Sequence, residues 1–360
     1  MYFDLLPKTK KEDLYGVEYL LNDLINNLND DKVRLVVIKG LRRTGKTSLL
    51  NVSLKESKEE FVKIDVRETP FFSYNEFINY FIETVNSSMD KGIIKKLLDK
   101  LKDLGLTLEY GKIKANLKLN LDRKQELNKY LKSLNQILKK NKKQLIIAID
   151  EVHLLKSIKV DYLFASIYDN YENIKLVFTG SEIGLLEDFL GASNYDAPLY
   201  GRLFETIQTK KLHPEESVNF LREGFKQVGK EISLDNLSDV IERLDGIIGW
   251  ATQYGFQRIK GNSHINSLNK VVEYGTELTK REFNNFLNTR QSKERYIKVM
   301  KFLSKGISSW SEIKYAFIKE NLNISDRQLA LYLNNLVGHG FIEEKNKSYY
   351  IIDPLLIKVF

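Results

Sequence analysis

Gly40-Leu41-Arg42-Arg43-Thr44-Gly45-Lys46-Thr47-Ser48 decides how this chain folds. The stretch fits the phosphate-binding pattern GxxxxGK[ST]. Leu35-Val-Val-Ile-Lys39 before it reads as a buried strand, and Thr47-Ser-Leu-Leu-Asn51 opens a helix after it. In a strand–loop–helix the glycines let the backbone curl until its N–H groups face a β-phosphate. The helix N-terminus adds partial positive charge. Lys46 is placed to bridge the β- and γ-phosphates, and the Thr47 hydroxyl to ligate Mg²⁺. The whole run from Gly40 to Ser48 is therefore expected to line a nucleoside triphosphate.

Working outward, Val17 to Leu28 is an amphipathic helix and Phe61 to Val66 a second strand. Helical patterns follow at Tyr74 to Ser87 and Lys91 to Leu104, then at Arg123 to Lys140. Between them Leu106 to Leu119 alternates apolar and polar residues around Tyr110-Gly-Lys112, a hairpin signature. Leu145 to Ile149 and Lys175 to Thr179 are further buried strands, separated by a helix near Val160 to Tyr171. Strands alternating with helices predict an α/β core over residues 1–212, a parallel sheet covered on both faces.

Asp150-Glu151 directly follow the strand ending at Ile149. Side chains at the carboxyl ends of parallel strands face the crevice where the phosphate loop opens. Asp150 is thus the candidate Mg²⁺ holder, and Glu151 the base that polarises an attacking water. Thr179 and Ser181 end the next strand; they are either sensors of the γ-phosphate or ordinary polar strand termini. Pro198-Leu-Tyr-Gly-Arg202 is a turn that positions one arginine. Arg202 either stabilises charge on a transferred phosphoryl group, in cis or from a neighbouring subunit, or makes a structural salt bridge. His153 near Glu151 reads first as a packing or hydrogen-bonding residue.

From Pro214 the pattern is helical through Phe283, which predicts a helical lid over residues 213–288. Trp250, Tyr254 and Phe256 read as its core, with adenine stacking as the lesser alternative. Residues 289–360 carry helices at Lys293 to Lys305, Ser309 to Lys319 and Asp326 to Val337, then two short strands within Phe341 to Ile352. Three helices and a hairpin make a winged helix-turn-helix. Its candidate recognition helix presents Arg327, Gln328 and Asn334, and its wing Lys345 and Lys347. Arg290 to Phe360 holds twelve Lys/Arg against seven Asp/Glu, a balance compatible with duplex DNA or with a protein partner.

The net charge of +8 is concentrated: residues 91–143 contain sixteen Lys/Arg and five Asp/Glu. Because the lysines are interleaved with Leu and Ile at helical spacing, a solvated helical face is the first reading and a partner surface the second. Cysteine is absent, which excludes disulfides and thiolate metal sites. No apolar run is long enough to span a bilayer or to act as a leader, so the expected location is cytoplasmic.

With these residues in hand, the chain resembles the archaeal ATPase family, a branch of the AAA+/STAND P-loop NTPases. The landmarks are the Gly40–Thr47 loop, Ile149-Asp-Glu-Val152, Thr179-Gly-Ser-Glu-Ile-Gly-Leu-Leu186, Pro198–Arg202 and Gly246-Ile-Ile-Gly-Trp250. The resemblance implies an ATPase core, a helical lid and a C-terminal winged helix, with ATP or ADP and Mg²⁺ held between core and lid. Two positions depart from the family pattern. Leu14-Tyr-Gly-Val-Glu18 lacks the arginine of the usual Gly-Arg-Glu box, and Ile248 replaces the proline that helps seat the base. No arginine lies next to the lid motif itself; Arg258 is the nearest downstream and the candidate for a second sensor.

The expected function is a Mg²⁺-dependent ATP-binding switch with slow ATPase activity, gating DNA binding through the winged helix. The rival is a signalling or defence regulator whose winged helix and basic insert bind protein. A remodelling motor would additionally need a closed ring with Arg202 acting in trans.

Overall fold

Successive residues of the buried strands enter two different apolar layers, and this alternation organises the N-terminal part of the chain. Leu35 and Val37 pack on one side, while Val36 and Ile38 pack on the other. Ile147 and Ile149 against Ile146 and Ala148 repeat the pattern. A strand apolar on both faces must be covered on both, as the sequence requires.

The computed structural model describes residues 1–68, 70–104, 124–192 and 194–360. Helix α1 (Glu18–Asn29) precedes strand β1 (Leu35–Gly40), and α2 (Lys46–Glu56) leaves the loop. Next come β2 (Glu60–Asp65), α3 (Tyr74–Ser88), α4 (Lys91–Asp103), α5 (Lys124–Lys140) and β3 (Leu145–Asp150). A 3₁₀ helix (Val152–Ile158), α6 (Asp161–Asn170), β4 (Ile174–Gly180), α7 (Ile183–Phe189) and β5 (Glu205–Thr209) complete this part. The five strands are parallel in the order β2-β3-β4-β1-β5. Helices α1 and α2 cover one face; α3, α4, α5 and α6 cover the other.

β5 is absent from the sequence reading. Its Glu-Thr-Ile-Gln-Thr segment is an edge strand in which Ile207 and Thr209 alone are buried, so it carries little apolar signal. The hairpin expected over Leu106–Leu119 lies outside the described residues, with that part of the basic segment. In the described part, Ile93, Leu97 and Leu101 of α4 are buried in the core while Lys91, Lys95, Lys96 and Lys102 are exposed.

Four helices follow: α8 (Pro214–Lys226), α9 (Leu234–Leu244), α10 (Ile248–Ile259) and α11 (His264–Asn288). They close around Phe220, Leu221, Phe225, Trp250 and Tyr254. The far end of α11 contributes Phe283, Phe286 and Leu287 to the last apolar cluster. That cluster is built by α12 (Lys293–Ser304), α13 (Trp310–Lys319), α14 (Asp326–Gly338) and the hairpin of β6 (Ile342–Lys345) and β7 (Ser348–Ile351). Capping boxes at Ser309 and Ser325 start α13 and α14. Asn346 and Lys347 both have positive φ, the left-handed pair that a tight two-residue hairpin turn requires. A short α15 (Pro354–Ile357), not expected from sequence, returns Leu355 to the helical domain's core. Among the described residues no helix is long and apolar enough to cross a membrane.

Candidate nucleotide site

The carboxyl ends of β1, β3 and β4 meet at one crevice, because parallel strands deliver their ends to the same side. β1 runs into the Gly40–Ser48 loop there, and Gly45 sits at φ +90°, a conformation only glycine adopts without strain. The loop bonds to itself: the Leu41 carbonyl accepts from Thr44 Oγ1 and from Lys46 Nζ, both at 2.7 Å. Thr44 Oγ1 also lies 2.7 Å from Thr209 Oγ1, which ties the loop to the end of β5. Burial lowers the Lys46 pKa to about 8; the Glu151 and Asp150 charges oppose this, and Arg67 and Arg42 reinforce it.

Asp150 ends β3 fully buried, with its carboxylate shared. Thr47 Oγ1 donates to Oδ2 at 3.0 Å, and Thr179 Oγ1 donates to Oδ1. Lys63 Nζ and an Arg67 nitrogen stand 3.8 and 3.7 Å from Oδ2. The pairing of one hydroxyl with one carboxylate oxygen suits a hard cation such as Mg²⁺, which takes few protein ligands and leaves the rest to water and phosphate. Glu151 turns away in a left-handed conformation, φ +59°. Its N–H donates to Thr179 Oγ1 at 3.0 Å, and its Oε2 accepts from Ser181 N and Oγ, both at 2.9 Å. Thr179 thus links Asp150 and Glu151, and Ser181 holds the Glu151 carboxylate.

His153 is 5% exposed on the cavity wall. Among the described residues its Nδ1 has no hydrogen-bond partner, and it lies 3.6 Å from Glu151 Oε2. Burial holds its pKa below the ordinary histidine value.

The site opens into a cavity of about 1090 Å³ between the sheet and the helices that follow it. Ile248, Gly249 and Trp250 line it from α10, and Leu14, Tyr15 and Val17 from the segment before α1. The two arginines of the loop reach across to these later elements. Arg43 N–H groups pair with Glu282 of α11 at 2.6 Å and with Asp353 at 3.6 Å, and the guanidinium lies over the Trp250 ring. The Arg43 carbonyl accepts from Gly249 N at 3.0 Å. A Cβ on Gly249 would come within 2.8 Å of Arg43 Cβ, so only glycine permits this approach. Arg42 pairs with Glu182 and lies over the Phe341 ring of the winged helix. Glu182 also pairs with His339 Nδ1 at 2.6 Å, at the end of α14. Burial pushes the Glu182 carboxyl up, but the His339 hydrogen bond and the Arg42 charge outweigh it and hold the pKa below the usual range.

Arg202 stands elsewhere. It precedes β5 at the opposite end of the sheet from the loop, bonds to Asp169 and the Pro198 carbonyl, and lines a separate small cavity with Tyr200 and Phe204. Arg258 donates to the Asn262 carbonyl. Tyr254 is fully buried with its hydroxyl 2.8 Å from His264 Nδ1, and Phe256 lies under Lys260. Neither Tyr254 nor Phe256 lines the cavity, whereas Trp250 does. In the winged helix Arg327, Gln328, Asn334, Lys345 and Lys347 are all exposed, with Lys345 paired to Glu343.

Sequence reasoning missed Lys63, Asp65 and Arg67, which bring charge to Asp150 and Glu151 from the end of β2. The signal was available, because β2 neighbours β3 and its carboxyl end faces the same crevice. Glu282, His339 and Asp353 had no such signal, since only the tertiary fold brings them to the loop.

Comparison with known proteins agrees with this fold. Residues 18–249 match the family described as an ATPase domain predominantly from Archaea. Residues 290–352 match the winged helix-turn-helix domain at the C-terminus of MCM proteins. Among solved structures the chain is similar to a Walker-type ATPase of Pyrococcus abyssi, at 29% identity and TM-score 0.80, over 100% of this chain and 99% of that one. The ORC2 protein of Aeropyrum pernix, in ADPNP–ADP complexes, shares the fold at 13% identity and TM-score 0.53, over 95% of this chain and 90% of its own. No curated protein matches.

Proposed function

Since the chain belongs to the family of ATPase domains found predominantly in Archaea, we propose that it is a Mg²⁺-dependent ATP-binding switch with slow ATPase activity. The observation that carries the reading is the reach of Arg42 and Arg43. Both belong to the phosphate loop, and both reach elements that follow the sheet, Arg42 at Phe341 and Arg43 at Glu282 and Asp353. A triphosphate in the loop competes for the same two guanidinium groups, so its arrival loosens their hold on Glu282, Asp353 and Phe341. A ligand shifts such an equilibrium only through different affinities for the two arrangements, and this competition supplies the difference.

In this reading residues 1–212 form the ATPase core, 213–288 the lid and 289–360 the winged helix. Residues Gly40 to Ser48 wrap the phosphates, Lys46 meets the β- and γ-phosphates, and Ile248 forms an apolar wall toward the base. Thr47 and Asp150 hold Mg²⁺, which when bound neutralises phosphate charge. Thr179 and Ser181 register the γ-phosphate through the carboxylates they hold. For hydrolysis Glu151 leaves Ser181 and accepts a proton from water as the water oxygen bonds to the γ-phosphorus. The β–γ bridging bond then breaks, giving ADP and phosphate. The need for that rearrangement, with Arg202 far from the loop in its own chain, is consistent with slow turnover.

The output assigned to the switch is duplex DNA, through Arg327, Lys345 and Lys347, which stand exposed on the recognition helix and wing. ATP turnover by the unchanged protein, Lys46→Ala and Glu151→Gln tests the chemistry, and equal turnover in all three sinks it. Salt-dependent DNA binding that weakens when Arg327, Lys345 and Lys347 become Ala tests the output. Absence of duplex affinity would favour a protein partner instead.

A further inference from the structure

The first residues of the chain bridge the lid and the phosphate loop. Phe3 is 0% exposed and inserted between α8 and α10, in edge contact with Phe220 and Phe225. The fit depends on two glycines. A Cβ on Gly224 or on Gly255 would lie 2.3 or 2.2 Å from the Phe3 ring, so any larger residue on either helix displaces it. Tyr2 stacks on Phe220 beside it, and its N–H donates to Gln227 Oε1. At the other end the Lys8 N–H donates to Ser48 Oγ at 3.0 Å, in the first turn of the loop's own helix. Between these anchors Asp4, Leu5, Leu6 and Pro7 line the cavity, with Leu5 and Leu6 largely exposed. The Lys8 ammonium folds back to the Met1 and Asp4 carbonyls and stiffens the span.

The anchors are unequal. Phe3 is a buried aromatic ring, whereas among the described residues the end at Ser48 is one hydrogen bond. We propose that residues 2–8 form a strap over the nucleotide cavity, hinged at Phe3 and released at Lys8, that sets how fast nucleotide leaves. The strap's wall function rests on the nucleotide-binding reading above. It adds residues that precede the family-matched segment and that no other argument needs.

Stopped-flow release of a fluorescent N-methylanthraniloyl-ADP with Mg²⁺, chased by excess ADP, tests the strap. Lys8→Pro deletes the donated N–H, together with the ammonium's bonds to the Met1 and Asp4 carbonyls, without touching Ser48, and Phe3→Leu shrinks the plug while keeping it apolar. Release from Lys8→Pro is expected to be at least about fivefold faster, the change for loss of the hydrogen bond to Ser48 alone, at an unchanged melting temperature. Phe3→Leu is expected to speed release as well. Equal release from all three proteins overturns the strap alone. Faster release confined to a Phe3→Leu protein with a lowered melting temperature also overturns it, since that reports a loosened lid. Failure of the unchanged protein to bind the probe overturns the nucleotide reading and the strap together.

Discussion

The guanidinium carbon of Arg43 lies 4.4 Å from the centroid of the Trp250 ring. Trp250 Nε1 in turn donates to the Asp353 carboxylate, which pairs with the same arginine. A residue of the phosphate loop, one of the helical region that follows the sheet and one just beyond the winged helix's hairpin therefore share one contact. Cation–π contacts are sensitive to displacement of the cation, so Trp250 is a built-in reporter of the loop.

The chain has two tryptophans, and Trp310→Phe leaves Trp250 alone. In that background ATP is expected to shift the emission spectrum, and Arg43→Ala is expected to produce most of that shift without nucleotide. Steady-state fluorescence titration measures both. An emission spectrum unmoved by saturating ATP counts against competition for Arg43.

Loosening the partners should ease nucleotide entry. On the proposed competition, Asp353→Ala and Glu182→Ala each remove an anion that nucleotide displaces from an arginine. A partly buried pair of this kind is worth roughly 1 kcal/mol, which corresponds to about fivefold tighter ADP binding. Isothermal titration calorimetry reads the change. Weaker binding in both variants would mean that the anions support the nucleotide site.

The Lys46 ammonium gives the site a pH dependence. Its pKa of about 8 in the folded protein lies below the ordinary 10.5, chiefly through burial. A lysine depressed in this way destabilises the nucleotide-free protein at neutral pH, and the penalty fades as pH climbs from about 8 toward 10.5. Phosphate favours the charged amine, so ADP binding above pH 8 should take up a proton and weaken as pH rises. Calorimetry in buffers of different ionisation enthalpy detects the uptake. Lys46→Arg, charged throughout, should lose the uptake.

Removal of Mg²⁺ should act through Thr47 and Asp150. Chelation is expected to weaken ADP binding to the unchanged protein at least tenfold, an order typical for losing a cation that neutralises phosphate charge. Thr47→Ala and Asp150→Asn should shrink that difference between magnesium and chelator. Calorimetry with each variant checks it, and an undiminished magnesium effect in both would remove these residues from the metal site.

The loop, the acidic end of β3 and the three-part order of the chain were legible because each is local. A strand apolar on both faces, glycines at fixed spacing and a carboxylate pair after Ile149 all occupy short windows. β5 escaped because an edge strand with Ile207 and Thr209 as its buried residues has no apolar run to read. Arg42 and Arg43 were legible as loop residues but not as links. Their partners lie at Glu182, Glu282, Phe341 and Asp353, far along the chain, and the Gly249 approach that seats Arg43 is a tertiary fact. Phe3 was unreadable for the same reason, since the hole it fills is made by glycines on two distant helices.

Whether nucleotide moves the winged helix is the central claim, and one distance measures it directly. The chain lacks cysteine, so Glu56→Cys and Lys319→Cys, at exposed positions on α2 and α13, accept a pair of spin labels without interference. Double electron–electron resonance in the Glu151→Gln background compares the nucleotide-free protein with the protein saturated by ATP and Mg²⁺. The expected result is a distance distribution that shifts on ATP and returns when Lys46→Ala is added. A distribution identical with and without bound ATP would contradict the switch.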